Sequence, residues 1–212
     1  MAADPAAFQT RGAVLFFDDE LVVARDAYPK SRTHLLVLAR DTRLAEGPKA
    51  MRSTDAALVR RMARVGEAHA RTLAAEAASA ADSRNDDAER FRFRCGFHAS
   101  PSMRTAHMHV VSGDLRGVGM KTRRHWNSFA TSFFKEAEET ARDLERAEAE
   151  SAGGGGASSG TRWDVAELER VVAMTPLRCH KCGDGPFPTM PKLFAHVDAC
   201  VRAGFSTRTD AL

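Results

Sequence analysis

The chain has 212 residues, is 43% hydrophobic and carries a formal charge of +3 at pH 7. This is enough for one compact domain with a real core plus a small appendage, and it excludes a mainly disordered chain. No run approaches the roughly 18 apolar residues of a membrane span, and the opening "MAADPAAFQTR" lacks the charged-then-apolar order of a secretory leader, which reads as an intracellular protein.

In chain order, "AVLFF" (13–17), "LVVARDA" (21–27) and "THLLVLA" (33–39) are predicted strands, with turn residues between them. A helix is predicted over 55–80, where Leu58, Met62, Val65, His69 and Leu73 recur at helical spacing and Asp55 can cap the start. "DSRNDDAE" (82–89) reads as an exposed loop. "RFRFRCGFH" (90–98) alternates as a strand, "SPS" (100–102) turns the chain, and "RTAHMHVVSGD" (104–114) is a second strand. Residues 130–150 are charged and helical, and the Gly/Ser-rich stretch that follows is a flexible linker. Strands on both sides of one long helix predict an α+β domain with helices on a sheet face.

Alternation in the 104–114 strand puts Thr105, His107, His109 and Val111 on one face and Ala106, Met108 and Val110 on the other. An H-x-H pair alone fits structural, metal-binding and catalytic readings. Around it, Glu89 to Trp126 holds eight Lys or Arg (Arg90, Arg92, Arg94, Arg104, Arg116, Lys121, Arg123, Arg124) against two acids, Glu89 and Asp114. Such a rim suits a phosphate-bearing partner, although a basic run is often only a solvated face.

Only four cysteines occur, and three lie near the C-terminus. Cys179-x2-Cys182, then His196 and Cys200 at i and i+4 of a helix opened by Thr189 and Pro191, present four ligands at zinc-finger spacing. Zinc is the expected metal, because a short tail with few core residues needs a staple to fold. Cys95, alone in an apolar strand, reads as an ordinary buried residue.

"YPKSRTHLLVL", "GFHASPSM", "AHMHVV" and "KTRRHWNSF", followed by "PLRCHKC", resemble the aprataxin branch of the histidine-triad (HIT) family over nearly the whole chain. The resemblance implies a HIT-type antiparallel sheet with packed helices and a small C-terminal zinc-finger module. Residues 1–10 would be a tail, 11–150 the catalytic domain, 151–162 the linker, and 163–212 a helix with the finger. It also implies a DNA 5′-adenylate hydrolase, a repair enzyme that frees AMP from abortive-ligation ends of nicks and breaks through an adenylyl-histidine, with structural zinc and no catalytic metal. A nuclear location goes with that substrate.

Residue by residue, the resemblance makes His107 the nucleophile and sets His109 on the phosphate oxygens. His34 would support the nucleophile, and His98 would sit near the leaving phosphate. It points to Leu15, Phe17, Asp18, Leu36 and Ser102 for the nucleotide, with the acid on the ribose. For DNA it points to Lys30, Arg32, Met103, Lys121, Arg123, Arg124 and Trp126, and in the finger to Lys181, Lys192 and Arg202. Thr105 stands where the family has its first triad histidine, and its hydroxyl cannot titrate near neutrality. Two rivals share these features: a HIT hydrolase of small nucleotides, and a non-catalytic DNA-end binder. The finger itself has two expected uses, gripping DNA or packing against the HIT domain.

Overall fold

The structure, a computed structural model, describes residues 12–80, 91–152 and 161–200. The expected tail 1–10, the loop 82–89, linker residues 153–160 and Arg202 lie outside the described residues. Six strands form one sheet: β1 (Val14–Phe17), β2 (Leu21–Arg25), β3 (His34–Ala39), β4 (Phe93–His98), β5 (His107–Ser112) and β6 (Phe134–Glu136). All pairs are antiparallel, in the order β1-β2-β3-β5-β4-β6. The helices are α1 (Ala56–Ala80), α2 (Arg123–Ala130), α3 (Ala137–Ala152), α4 (Val165–Met174) and α5 (Met190–Ala199). The class is α+β, and β6 is a short strand that the helical reading of 130–150 passed over.

One sheet face carries Leu21, Val23, Leu35, Val37, Phe97, Met108 and Val110, which are fully buried against α1 and α3. At Gly66 of α1 a Cβ would lie 2.6 Å from Val37 Cγ2 and 2.7 Å from Val110 Cγ2, so the missing side chain sets how closely helix and sheet approach. Asp55 precedes α1 but does not cap it. Its carboxylate reaches back to accept the Arg52 N–H (2.7 Å) and pairs with Arg43 at 2.8 Å, fixing the segment that leads into the helix.

The opposite face is covered at one end by α2 and the C-terminal segment. Val111, Leu115, Met120, Trp126, Phe129 and Phe134 from the first part of the chain form one buried cluster with Leu177, Cys179, Leu193 and Val197. Polar contacts follow the same seam. Asn127 Nδ2 donates to the carbonyls of Val172 (3.0 Å) and Thr175 (2.8 Å), and Arg116 pairs with Asp198 at 3.1 Å. The segment holding the cysteines therefore shares a core with the sheet.

One loop closes over the start of β3. The Gly117 N–H donates to Lys30 O (3.1 Å) and the Gly119 N–H to Pro29 O (2.7 Å). Cβ atoms at these glycines would fall 2.2 Å from Pro29 O and 2.4 Å from Tyr28 O, so the two loops touch backbone to backbone.

Candidate active site

Register brings the histidines together. His34, Leu36 and Leu38 of β3 pair with Val111, His109 and His107 of β5, and Gly96 of β4 pairs with His109. Paired residues share a sheet face, so His34, His98, His107 and His109 converge on the side away from α1, on the face that alternation assigned to His107 and His109. Ring centroids are 5.2 Å apart for His34 and His109, 4.3 Å for His98 and His109, and 5.0 Å for His107 and His109. A Cβ at Gly96 would lie 2.3 Å from Lys135 O and 2.6 Å from Phe134 Cε1, so the missing side chain lets β6 and the Phe134 ring close on β4.

The hydrogen bonds assign the ring protons. Lys30 N–H donates to His34 Nδ1 (3.0 Å), so the neutral ring carries its proton on Nε2. That Nε2–H donates to His109 Nδ1 (3.0 Å), which puts the His109 proton on its own Nε2. His109 Nε2 is buried and has no partner among the described residues, and the same holds for His98 Nε2. His107 is fixed differently: its Nδ1–H donates to the backbone carbonyl of Thr105 (2.8 Å), leaving the Nε2 lone pair free.

Burial keeps the cluster neutral. Desolvation pushes His34 down to about 4 and His98 to about 3. His109 falls well below the ordinary histidine value for the same reason, reinforced by the neighbouring histidines. Desolvation also lowers His107, against the pull of the Thr105 carbonyl bond. Near pH 7 the site thus offers one nucleophilic nitrogen beside an unpartnered N–H donor in a dry surround. Asp26, His34 and His109 place three donor atoms within 4.8 Å of one another. The Lys30 amide fixes a proton on His34 Nε2, however, so Lys30, His34 and His109 form a hydrogen-bond relay, with Asp26 3.6 Å from its middle member.

Next to His107 the same face is apolar: Val14, Val22, Ala24 and Leu38 are buried, and Phe17 and Leu36 lie partly exposed among them. Phe17 and Leu36 therefore lie in an apolar patch on the histidine face. Leu15 does not. The β1–β2 register shifts between Val14 and Phe16, which turns Leu15 toward the α1 side and gives its expected place to Val14. Asp18 is also placed elsewhere. Its carboxylate closes the β1–β2 turn on the N–H groups of Glu20 and Leu21 and pairs with Arg61 at 2.6 Å. The acid at the histidines is Asp26, 3.6 Å from His34 Nε2, which the sequence reading leaves inside the predicted strand 21–27 without a role.

Ser102, expected at the nucleotide, is exposed; among the expected DNA contacts, Lys30 is half-buried at the cluster, while Arg32, Met103, Lys121, Arg123, Arg124 and Lys192 are exposed. Burial first, and then the nearby charges of Lys30, Lys121 and Arg124, disfavour protonation of His125, around which these cations form one basic rim. Arg124 also pairs with Glu169 at 2.8 Å, and Arg123 donates to Ala173 O at 2.8 Å. Lys181 reaches the Val197 carbonyl at 3.5 Å. Trp126 is a correction: at 0% exposure its indole cannot stack on a base, and its Nε1–H donates to Arg178 O (2.9 Å) within the shared core.

The four expected metal ligands are brought together. Cys179, Cys182, His196 and Cys200 place their donor atoms within 4.8 Å of one another, and Cys182 Sγ lies 3.2 Å from His196 Nε2. Lys181 N–H points at Cys179 Sγ (3.4 Å), and burial pushes the Cys179 thiol up to about 12, an environment in which a thiolate needs a cation beside it. Three sulfurs and one imidazole fit zinc. Phe129, which ends the motif "KTRRHWNSF" and to which the sequence reading assigns no role, lays its ring against His34, His98 and His109.

Comparison with known proteins agrees with this geometry. Residues 5–125 match the family model described as "Scavenger mRNA decapping enzyme C-term binding". An aprataxin of Danio rerio is 34% identical over 91% of this chain and 51% of its own length. One of Ciona intestinalis is 32% identical over 86% and 41%. "Transcription factor bHLH140" of Arabidopsis thaliana is 35% identical over 88% of this chain and 17% of its own. The chain thus spans about half or less of these relatives. The crystal structure of the aprataxin ortholog Hnt3 in complex with DNA superposes with a TM-score of 0.67 at 24% identity, covering 94% of this chain and 92% of that one, which shows a common fold. With more than half of its residues under the family model, the chain belongs to that HIT-like family, and aprataxins are among its relatives.

Proposed function

We propose that this protein is a DNA 5′-adenylate hydrolase, freeing AMP from the 5′ ends left by abortive ligation. The observation that carries the proposal is the proton arrangement: His107 Nε2 holds a free lone pair while His109 Nε2–H, its partner nitrogen occupied by His34, points unpartnered beside it. Nε2 of His107 attacks the adenylate phosphorus, and a P–N bond forms as the P–O bond to the DNA 5′-phosphate breaks. The His109 N–H donates to the phosphoryl oxygens as charge grows on them. His98 is neutral and lies beside His109, a position from which it can hydrogen-bond the departing phosphate. Water then cleaves the P–N bond, and AMP leaves.

Adenine would rest against Phe17, Leu36 and Val14, with Asp26 rather than Asp18 the acid within reach of the ribose. The rim of Lys30, Lys121, Arg123 and Arg124 and the exposed Met103 supply phosphate and end contacts. The Hnt3 structures, which include complexes with DNA and with DNA and guanosine, support a nucleic-acid substrate for this fold. Zinc on Cys179, Cys182, His196 and Cys200 would cross-link the C-terminal segment and take no part in the chemistry. A DNA substrate places the work in the nucleus.

The test is incubation with an adenylated nicked duplex. AMP release, with an acid-labile nucleotide on the wild-type protein that His107→Ala lacks, is the expected result. Faster turnover of adenosine 5′-phosphoramidate with no action on the nick would assign the site to small nucleotides, and binding of the nick without AMP release would leave an end-binding protein.

A further inference from the structure

We propose that Phe129 is a positioning residue that carries the order of the zinc-binding segment into the histidine cluster, so that turnover of even a small nucleotide depends on that segment. The proposal rests on the function given above. Phe129 is 1% exposed, and its ring centroid lies 5.7 Å from His34, 4.7 Å from His98 and 5.5 Å from His109. The His34 and His109 contacts are close to perpendicular, at 90° and 82°. An edge-on aromatic ring fills the space behind the imidazoles, offers no competing acceptor for their N–H groups, and holds their tilt.

Phe129 is held from the sheet by Arg94 Nη1, which donates to its carbonyl (2.5 Å), and by the Phe134 ring at 5.5 Å, while the helix that carries it is tied to the far end of the chain. That helix is α2, whose Trp126 Nε1–H donates to Arg178 O (2.9 Å) and whose Asn127 donates to Val172 O and Thr175 O. Leu177, Leu193 and Val197, which surround the metal ligands, lie in the same buried cluster as Phe129 and Val111 of the catalytic strand. A second tie is His180 between the first two cysteines, whose Nε2–H donates to Gly113 O (2.8 Å), the residue after β5. Loosening the zinc-binding segment removes the Trp126–Arg178 bond and the apolar backing of α2, and α2 carries the ring against which three histidines are aligned. A segment that only gripped DNA would leave turnover of a small nucleotide untouched.

The full chain is used with zinc bound, after chelation, and as the variants Phe129→Leu and Asn127→Ala. Long-range 1H–15N spectra report the protonation of each ring nitrogen, and hydrolysis of adenosine 5′-phosphoramidate reports kcat and KM. In Phe129→Leu the His34, His98 and His109 ring signals should move and kcat fall roughly tenfold to a hundredfold, with KM little changed, as expected when reacting groups are displaced by a fraction of an ångström. Asn127→Ala and chelation should move the same signals, and zinc should restore them after chelation. If Phe129→Leu lacks a cooperative thermal transition, Phe129→Met carries the same readouts. Unchanged ring signals in the folded Phe129 variant overturn the positioning role, and chelation that moves only signals of residues 177–200 overturns the coupling. If the wild type releases no AMP from any substrate, the proposed function fails while the ring spectra still decide this inference.

Discussion

Position 105 offers a sharp test of how the nucleophile is held. Its contribution to His107 in the structure is the backbone carbonyl, which accepts the ring Nδ1–H at 2.8 Å. A hydrogen bond of that kind contributes about 0.5–1.5 kcal/mol and here selects the reactive tautomer. It is present whatever side chain residue 105 bears. Thr105→Ala and Thr105→His should therefore each change the barrier by less than about 1.4 kcal/mol, a factor of ten in rate. The assay is single-turnover AMP release from an adenylated nick across pH, with acid-quench trapping of the adenylyl-histidine. A loss beyond a hundredfold in Thr105→Ala would show that the hydroxyl acts directly. A gain beyond tenfold in Thr105→His, with a shifted apparent pKa, would show that an imidazole there tunes His107 and that the carbonyl is only part of its support.

Other consequences follow from the same geometry. His107→Ala should cost several orders of magnitude in turnover and abolish the trapped nucleotide while far-UV circular dichroism stays unchanged, since loss of a covalent catalyst removes the step itself. His34→Phe leaves His109 Nδ1 buried without its donor, so the rate should fall roughly tenfold to a hundredfold, or about 1.4–2.8 kcal/mol; a neutral effect would dissolve the relay. His34 and His98 are held below the ordinary histidine value by burial. Between about pH 6.5 and pH 4 the unfolded chain therefore binds protons that the folded one refuses. Stability should be fully present above pH 6.5 and fall on acidification, with a slope of up to about 1.4 kcal/mol per pH unit for each such histidine. Denaturant melts from pH 7.5 to 4 read this, and His98→Phe should flatten the slope. Cys182→Ser should lower the melting temperature of the chain in one transition, because the metal ligands sit on a core shared with the sheet; two separated transitions would mean that the segment folds by itself.

Much of this site could be read from residue order because its parts depend on short-range periodicity. Strand alternation put His107 and His109 on one face, and ligand spacing gathered Cys179, Cys182, His196 and Cys200. What escaped depended on long-range or irregular structure. A register shift in β1 exchanged Leu15 for Val14 at the apolar slot, and no local pattern encodes such an irregularity. Trp126, an aromatic amid basic residues, carries the composition of a stacking residue, yet its partner is the carbonyl of Arg178, brought to it by tertiary packing. Asp18 and Asp26 are chemically equivalent in a strand-turn context; only the fold shows that Arg61 occupies the first and His34 adjoins the second. Phe129 lies in a helix too short for periodicity to tell its inward face.

The backbone contact between the 117–119 loop and residues 28–30 gives two glycines a stake in proton transfer. The amide of Lys30 cannot titrate, so it pins the direction of the whole chain of donors from Lys30 through His34 to the free N–H of His109 at any pH where His34 is neutral. That amide stays in place because its neighbours Pro29 and Tyr28 are pressed against Gly117 and Gly119, where a Cβ would lie 2.2 Å and 2.4 Å from carbonyl oxygens. A single methyl group added at either glycine would have to push the loop aside and take the amide with it. His34 would then be free to flip its proton to Nδ1, and the chain of donors would lose its polarity without any histidine having been changed.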